Sequence, residues 1–173
     1  GIGRTGHIGF NEPGSNYSSM TRLVNLDYVT RNDARKAFSG IEHVPSKAIT
    51  MGIKTIKNSK RIVLLAWGLN KAEIIKKTIE GSIDSNISAS FLQKHKNVTF
   101  VLDNASASQL TRIQSPWKVG SPSLSKELKA KAIVWLCKKT NKSILNLTES
   151  DYNENNLSDL LINQSAYEIN LEV

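Results

Sequence analysis

Several residue classes that carry chemistry are scarce in this sequence. One cysteine, Cys137, stands alone in 173 residues, so no internal disulfide can form and a reducing cytoplasm is the expected setting. Of three histidines, His43 and His95 have no acid or cysteine at ligand spacing, so no metal and no cofactor are expected. No apolar run approaches the roughly 18 residues of a membrane span, and no signal peptide is visible, so no membrane partner is expected. Internal repeats and low-complexity tracts are absent as well. Acidic residues are few, 15 against 23 lysines and arginines, which leaves a net charge of +8 and a pI near 9.6. Such basicity raises the question of nucleic acid. The lysines, however, are scattered along helices, often in pairs such as Lys76-Lys77 and Lys138-Lys139, without a recognised nucleic-acid motif. They read as a solvated surface, part of which can attract an anionic substrate.

What is present begins at once. Gly1-Ile-Gly-Arg-Thr-Gly-His-Ile-Gly-Phe-Asn-Glu-Pro13 is a glycine-rich loop able to approach a ligand closely, with an imidazole and a carboxylate five residues apart. His7 titrates near neutral pH without help. Glu12 is close enough for the loop to fold back on it, so the two form a candidate acid/base pair. The same letters match the Gly-x-Gly-x-x-Gly dinucleotide fingerprint, with Asp27 about 20 residues on as a ribose-binding acid. Context opposes that reading. No strand precedes the motif in this chain, and Gly9 and Pro13 interrupt the helix that should open at Gly6.

Hydrophobic residues make up 39% of the chain and charged residues 22%, the balance of a globular domain with a sizeable core. Arg22–Leu26 alternates as a strand. Asn32–Phe38 reads as a short helix stopped at Gly40, and 46–57 as a helix with Ile49, Ile53 and Ile56 on one face. Arg61–Trp67 is a nearly continuous apolar run, as in a parallel strand buried on both faces. A turn at Gly68–Asn70 follows, then a helix opened by Asn70 and Glu73 in the manner of a capping box and stopped at Gly81. Lys71 therefore sits at a helix start just past the carboxyl end of a strand, where α/β sheets bind ligands and helix termini favour anions.

Further on, Ala89–His95 reads as a helix, Asn97–Asp103 as a second buried strand and Ala105–Leu110 as a short helix. Gln114–Pro122 is a loop with two prolines, and a helix over 124–140 carries Leu124, Leu128, Ala132, Trp135 and Leu136 on one side. Leu157–Ile162 is a short helix in the last part. Strand and helix alternate, so the fold class is α/β, a Rossmann-like open parallel sheet with helices on both faces. Residues 1–146 form one domain part, and 147–173 form a polar tail with a short helix that could lead to another domain.

The run from Gly1 to Pro13, with matches continuing to about Arg112, resembles the glucosamine-6-phosphate deaminase/isomerase family. The resemblance implies that this is the C-terminal half of the family's domain. It also implies that the substrate is a sugar phosphate: glucosamine 6-phosphate and water would give fructose 6-phosphate and ammonia. His7 would move a proton to and from the ring oxygen, and Glu12 would orient it. Lys71 would hold the phosphate together with Lys36, which replaces an arginine. Thr5 stands where the family commonly has an aspartate. Arg22 and Ser15 fall at allosteric or structural positions, with Val24 replacing a lysine there, which argues against activation by N-acetylglucosamine 6-phosphate. The C2 base and a phosphate-cradling loop would belong to the other half. A homo-oligomer is compatible with the resemblance. The competing reading is a sugar-phosphate-binding domain of a larger protein, with altered chemistry or none.

Overall fold

The computed structural model describes residues 1–120 and 123–173; the expected loop proline Pro122 lies outside the described residues. The chain packs as two compact units, Gly1–Leu110 and Thr111–Val173.

The first unit holds two small sheets. Strand β1 (Arg22–Asn25) pairs antiparallel with β2 (Lys47–Thr50), and β3 (Ile62–Ala66) pairs parallel with β4 (Val98–Leu102). Helix α1 (Tyr28–Ala34) is capped by Asp27, whose side chain accepts from the Val29 amide, so it begins four residues earlier than expected. The helix expected over 46–57 is instead β2 followed by the short helix α2 (Ile53–Lys57). Isoleucines at 49, 53 and 56 imitate a helical stripe, yet Ile49 lies opposite Leu23 in the ribbon and is 75% exposed. The break comes where Ser19 captures the next turn: its carbonyl accepts from Lys54 N and its hydroxyl from Ile53 N.

Between β3 and β4 run a 3-10 turn (Leu69–Lys71), α3 (Ala72–Glu80) and a 3-10 segment (Ser88–Lys94), the last expected as an ordinary helix. No capping box forms at Asn70. The 3-10 turn closes through Lys71 N to Gly68 O and runs straight into α3, and Glu73 accepts from Lys77 Nζ instead. Ile74 and Ile75 of α3, with Ala89 and Leu92, cover one face of the parallel pair, where Leu64 and Ala66 are buried. Each isoleucine or leucine among them contributes roughly 1.5–3 kcal/mol of burial. The other face is not covered: Val63, Leu65 and Val101 are each more than 40% exposed. The expected burial on both faces is therefore not met by this two-stranded sheet. Helix α4 (Asn104–Ala107) follows β4, capped by Asp103.

The second unit is helical. After α5 (Thr111–Gln114) comes α6 (Lys126–Thr140), capped by Ser125 and ended by Asn141 in the left-handed conformation. Its Ala132, Ile133 and Leu136 pack with Trp117, Leu147, Tyr152, Leu157, Ala166 and Ile169. Helices α7 (Glu149–Asn153) and α8 (Ala166–Leu171) belong to that core. Packing thus divides the chain at 110/111 and not at 146/147, because the apolar residues after Leu147 close on the same core as α6. Polar and acidic letters around residue 150 hid this. Asp151 is taken up by Lys142 at 2.8 Å and by the Thr148 cap.

Candidate active site

The opening loop folds onto itself before it meets anything else. Gly3 N donates to His7 O (2.9 Å) and Gly6 N to Gly3 O (3.0 Å), which curls the chain under the imidazole. A Cβ on Gly3 would lie 2.1 Å from His7 Cε1 and Nε2, so only glycine leaves room for the ring. Gly6 has φ +84°, and a Cβ there would press on Ile74 of α3 and on Ile87, just before the 3-10 segment. The 3-10 segment clamps the loop from the other side: Ala89 N donates to Gly6 O, and Ser88 Oγ donates to Asn11 O at 2.7 Å.

His7 Nδ1 lies 3.2 Å from Glu12 Oε2 and 3.0 Å from Thr5 Oγ1. The carboxylate can only accept, so it favours the proton on Nδ1. Glu12 Oε2 is buried and has no other partner, while Oε1 accepts from the Asp27 amide at 3.4 Å. His7 Nε2 makes no hydrogen bond among the described residues and is not among their fully buried unpartnered atoms, so it keeps some access to solvent on a side chain that is 14% exposed. Burial pushes the imidazole pKa below its ordinary value; the Glu12 carboxylate opposes this, and the Lys71 charge adds to it. The result is a ring that is neutral near pH 7, oriented through Nδ1, with Nε2 free to take a proton.

Lys71 comes from the 3-10 turn after β3, and its Nζ donates to Ile2 O at 2.9 Å. One ammonium proton is used in this way, which leaves two for a ligand. Burial lowers its pKa and Arg4 adds to that effect, whereas Asp33 opposes it. Asp103 holds the turn: its carboxylate accepts from Gly68 N at 3.1 Å and from Ser106 N at 2.8 Å. The structure therefore brings Thr5, His7, Glu12 and Lys71 to one place. Lys36 is not drawn in. It is exposed on the turn after α1 and makes no hydrogen bond or ion pair among the described residues.

Arg22 and Ser15 do meet, Nη2 to Oγ at 3.4 Å, and line a cavity of about 310 Å³ with Glu12 and Val24. Arg22 Nη1 also donates to Asn11 Oδ1 at 2.9 Å. Sequence reasoning missed Asn11, which is fully buried and donates to Ile8 O and Met51 O, both at 2.8 Å. It missed too the pair of Arg4 and Asp33, with Nη2 to Oδ1 at 2.8 Å, which ties α1 to the loop. Asn11 was in the motif and could have been suspected there. The Arg4–Asp33 pair spans 29 residues and has no local signal.

No protein-family model matches the chain. A Bacteroides thetaiotaomicron protein described as glucosamine-6-phosphate deaminase-like is 51% identical over 174 residues, covering 100% of this chain and 26% of the relative. The glucosamine-6-phosphate deaminase of Clostridium novyi is 54% identical over 110 residues, 64% of this chain and 46% of its own. That of Listeria welshimeri is 53% identical over 110 residues, 64% of this chain and 47% of its own. A solved structure of a monomeric glucosamine-6-phosphate deaminase of the NagB superfamily superposes with a TM-score of 0.61 at 49% identity, covering 62% of this chain and 45% of that one. The chain thus spans about half the length of the deaminases it matches, and a quarter of the longer relative.

Proposed function

We propose that this chain, which belongs to the glucosamine-6-phosphate deaminase family, carries the ring-opening and phosphate-binding groups of an amino-sugar phosphate deaminase. The substrate in this reading is glucosamine 6-phosphate, and the products are fructose 6-phosphate and ammonia. The observation that supports it is the His7 imidazole, fixed at Nδ1 by Glu12 and Thr5 and open at Nε2. Opening the sugar ring breaks the C1–O5 bond as the C1 carbonyl forms. One proton leaves the anomeric hydroxyl and one arrives at the ring oxygen. Both transfers can pass through Nε2, which ends as it began. Glu12 steadies the imidazolium formed between the two steps. Lys71 offers its free ammonium protons to the 6-phosphate.

Moving the C2 proton and releasing ammonia call for further groups, and the deaminase relatives, in which the matched 110 residues make up 46–47% of the length, have room for them. Lys36 is a second phosphate ligand in this reading, reached when substrate draws in the turn after α1. The setting is amino-sugar catabolism in the cytoplasm. Thr5 favours a second reading, a sugar-phosphate enzyme with altered chemistry or a non-catalytic binding domain, because a hydroxyl sits where a second carboxylate would reinforce the histidine.

The test incubates the full-length protein with glucosamine 6-phosphate and follows fructose 6-phosphate by a coupled assay, with His7→Ala alongside. Turnover that collapses in the variant is the expected result. Binding of the sugar phosphate without turnover would move the assignment to the second reading, and turnover equal in both proteins would remove His7 from the chemistry.

A further inference from the structure

Lys71 and His7 sit at the carboxyl end of the parallel strands. At the opposite end lies a cavity of about 580 Å³, formed where the chain enters β3 and β4. Five lysines line it, Lys54, Lys57, Lys60, Lys94 and Lys96, and no aspartate or glutamate does. None of the five forms an ion pair among the described residues, although other lysines of the chain, such as Lys77 and Lys142, do. Gathering five ammonium groups without a carboxylate is electrostatically unfavourable unless an anion joins them.

The walls are built. His95 bridges them: its Nδ1 accepts from Asn97 N at 3.1 Å, so Nε2 carries the proton and donates to Ser59 O at 2.9 Å. Asn97 Nδ2 donates to Lys60 O at 3.3 Å, and Ile62 N donates to Asn97 O. The turn before β3 and the turn before β4 are therefore stapled together, with His95 in a structural role. Tyr17 forms part of the wall, edge-on to Phe91 at 5.1 Å. Lys57 Nζ lies 3.4 Å from the Tyr17 ring centroid and Lys94 Nζ lies 5.4 Å from it, so two like charges are held over one ring. Loss of hydration at Lys57, and Lys94 beside it, push the Lys57 pKa below its usual value. An anion between the two would reverse that repulsion.

We infer that this cavity binds a small molecule carrying two or more linked phosphates, held by Lys54, Lys57, Lys60, Lys94 and Lys96. One phosphate would leave much of the positive charge uncompensated, whereas a polyphosphate chain can span both turns. The volume is that of a small-molecule site, about 300–1,000 Å³, and its concavity favours a compact anion over the flank of a duplex. The site is separate from the sugar-phosphate groups and does not rest on the deaminase assignment.

Titration calorimetry of the full-length protein with inorganic tripolyphosphate at low ionic strength tests this. Binding at one site is expected, weakening by about tenfold or more in Lys57→Gln/Lys94→Gln and unchanged in Lys71→Gln. Lys54→Gln/Lys60→Gln, which leaves the Tyr17 wall intact, is expected to weaken it as well. ATP in a second arm separates the sources: tighter binding than tripolyphosphate assigns a nucleotide, and equal binding assigns inorganic polyphosphate. No binding would overturn the inference. So would a loss in Lys71→Gln, a loss no greater than in the surface control Lys76→Gln/Lys77→Gln, or tighter binding of duplex DNA than of tripolyphosphate.

Discussion

Gly3→Ala is a one-carbon change that separates the placement of His7 from the stability of the fold. Gly3 does not have a positive φ, so alanine is acceptable to the backbone. The new methyl would nevertheless fall 2.1 Å from His7 Cε1 and Nε2 and 2.5 Å from Nδ1. Ordinary carbon contacts begin near 3.5 Å, so the ring must retreat by roughly an ångström or more. The ring is the far end of a side chain, which makes the movement cheap in folding terms. It is costly in chemistry, since Nδ1 leaves Glu12 and Thr5. A misplacement of about 1 Å can cost about 100-fold in rate. The expected outcome is a melting temperature close to that of the parent, with turnover of glucosamine 6-phosphate lowered about 100-fold. An independent readout is the His7 titration followed by NMR. Burial holds that pKa below 6.5, and a displaced ring would move up toward 6.5. A variant with unchanged titration and unchanged turnover would refute the account of how the loop holds the histidine.

Two further outcomes follow from the same contacts. Thr5→Asp places a second carboxylate beside Nδ1 and should raise the His7 pKa, shifting the acid limb of activity upward; an unmoved NMR titration would count against the observed Thr5–His7 contact. Asp151, held by Lys142 and the Thr148 cap, has its pKa lowered to about 2 from 3.8. A depressed carboxylate stabilises the fold above about pH 4, and that contribution fades as the pH falls toward 2. After allowance for solvent screening it amounts to about 1–2 kcal/mol. Asp151→Asn should therefore lower the melting temperature at pH 7 and match the parent more closely near pH 2; an equal deficit at both would show that the charge is not the cause.

The local features were legible in the letters because their causes are local. Apolar runs of strand length gave β3 and β4, Gly81 ended α3 as expected, and the Gly-x-Gly-x-x-Gly-His run with Glu12 five residues on announced an acid/base pair. Lys71 was placed correctly at a helix start after a strand. Where two periodicities coincide, the letters are ambiguous: Ile49, Ile53 and Ile56 suit one helix as well as a strand and a short helix, and only the pairing of Lys47–Thr50 with Arg22–Asn25 chose between them. Capping at Asn70 failed for a similar reason, since closure of the Gly68–Lys71 turn decides which residue starts α3.

Composition and spacing alone determined the residue types at the site, the α/β alternation and the scarcity of metal-binding and disulfide chemistry. Tertiary structure decided which groups act together. It set Thr5 and Glu12 on the same nitrogen of His7, brought Lys71 from 69 residues away to the carbonyl of Ile2, left Lys36 in solvent, and folded the acidic last stretch into a core with α6. It also joined two lysine-bearing turns, 36 residues apart at the His95–Ser59 bridge, into one cavity. Those contacts join residues distant in the chain, and the hydrogen bonds and burial that select them exist only once the backbone has closed.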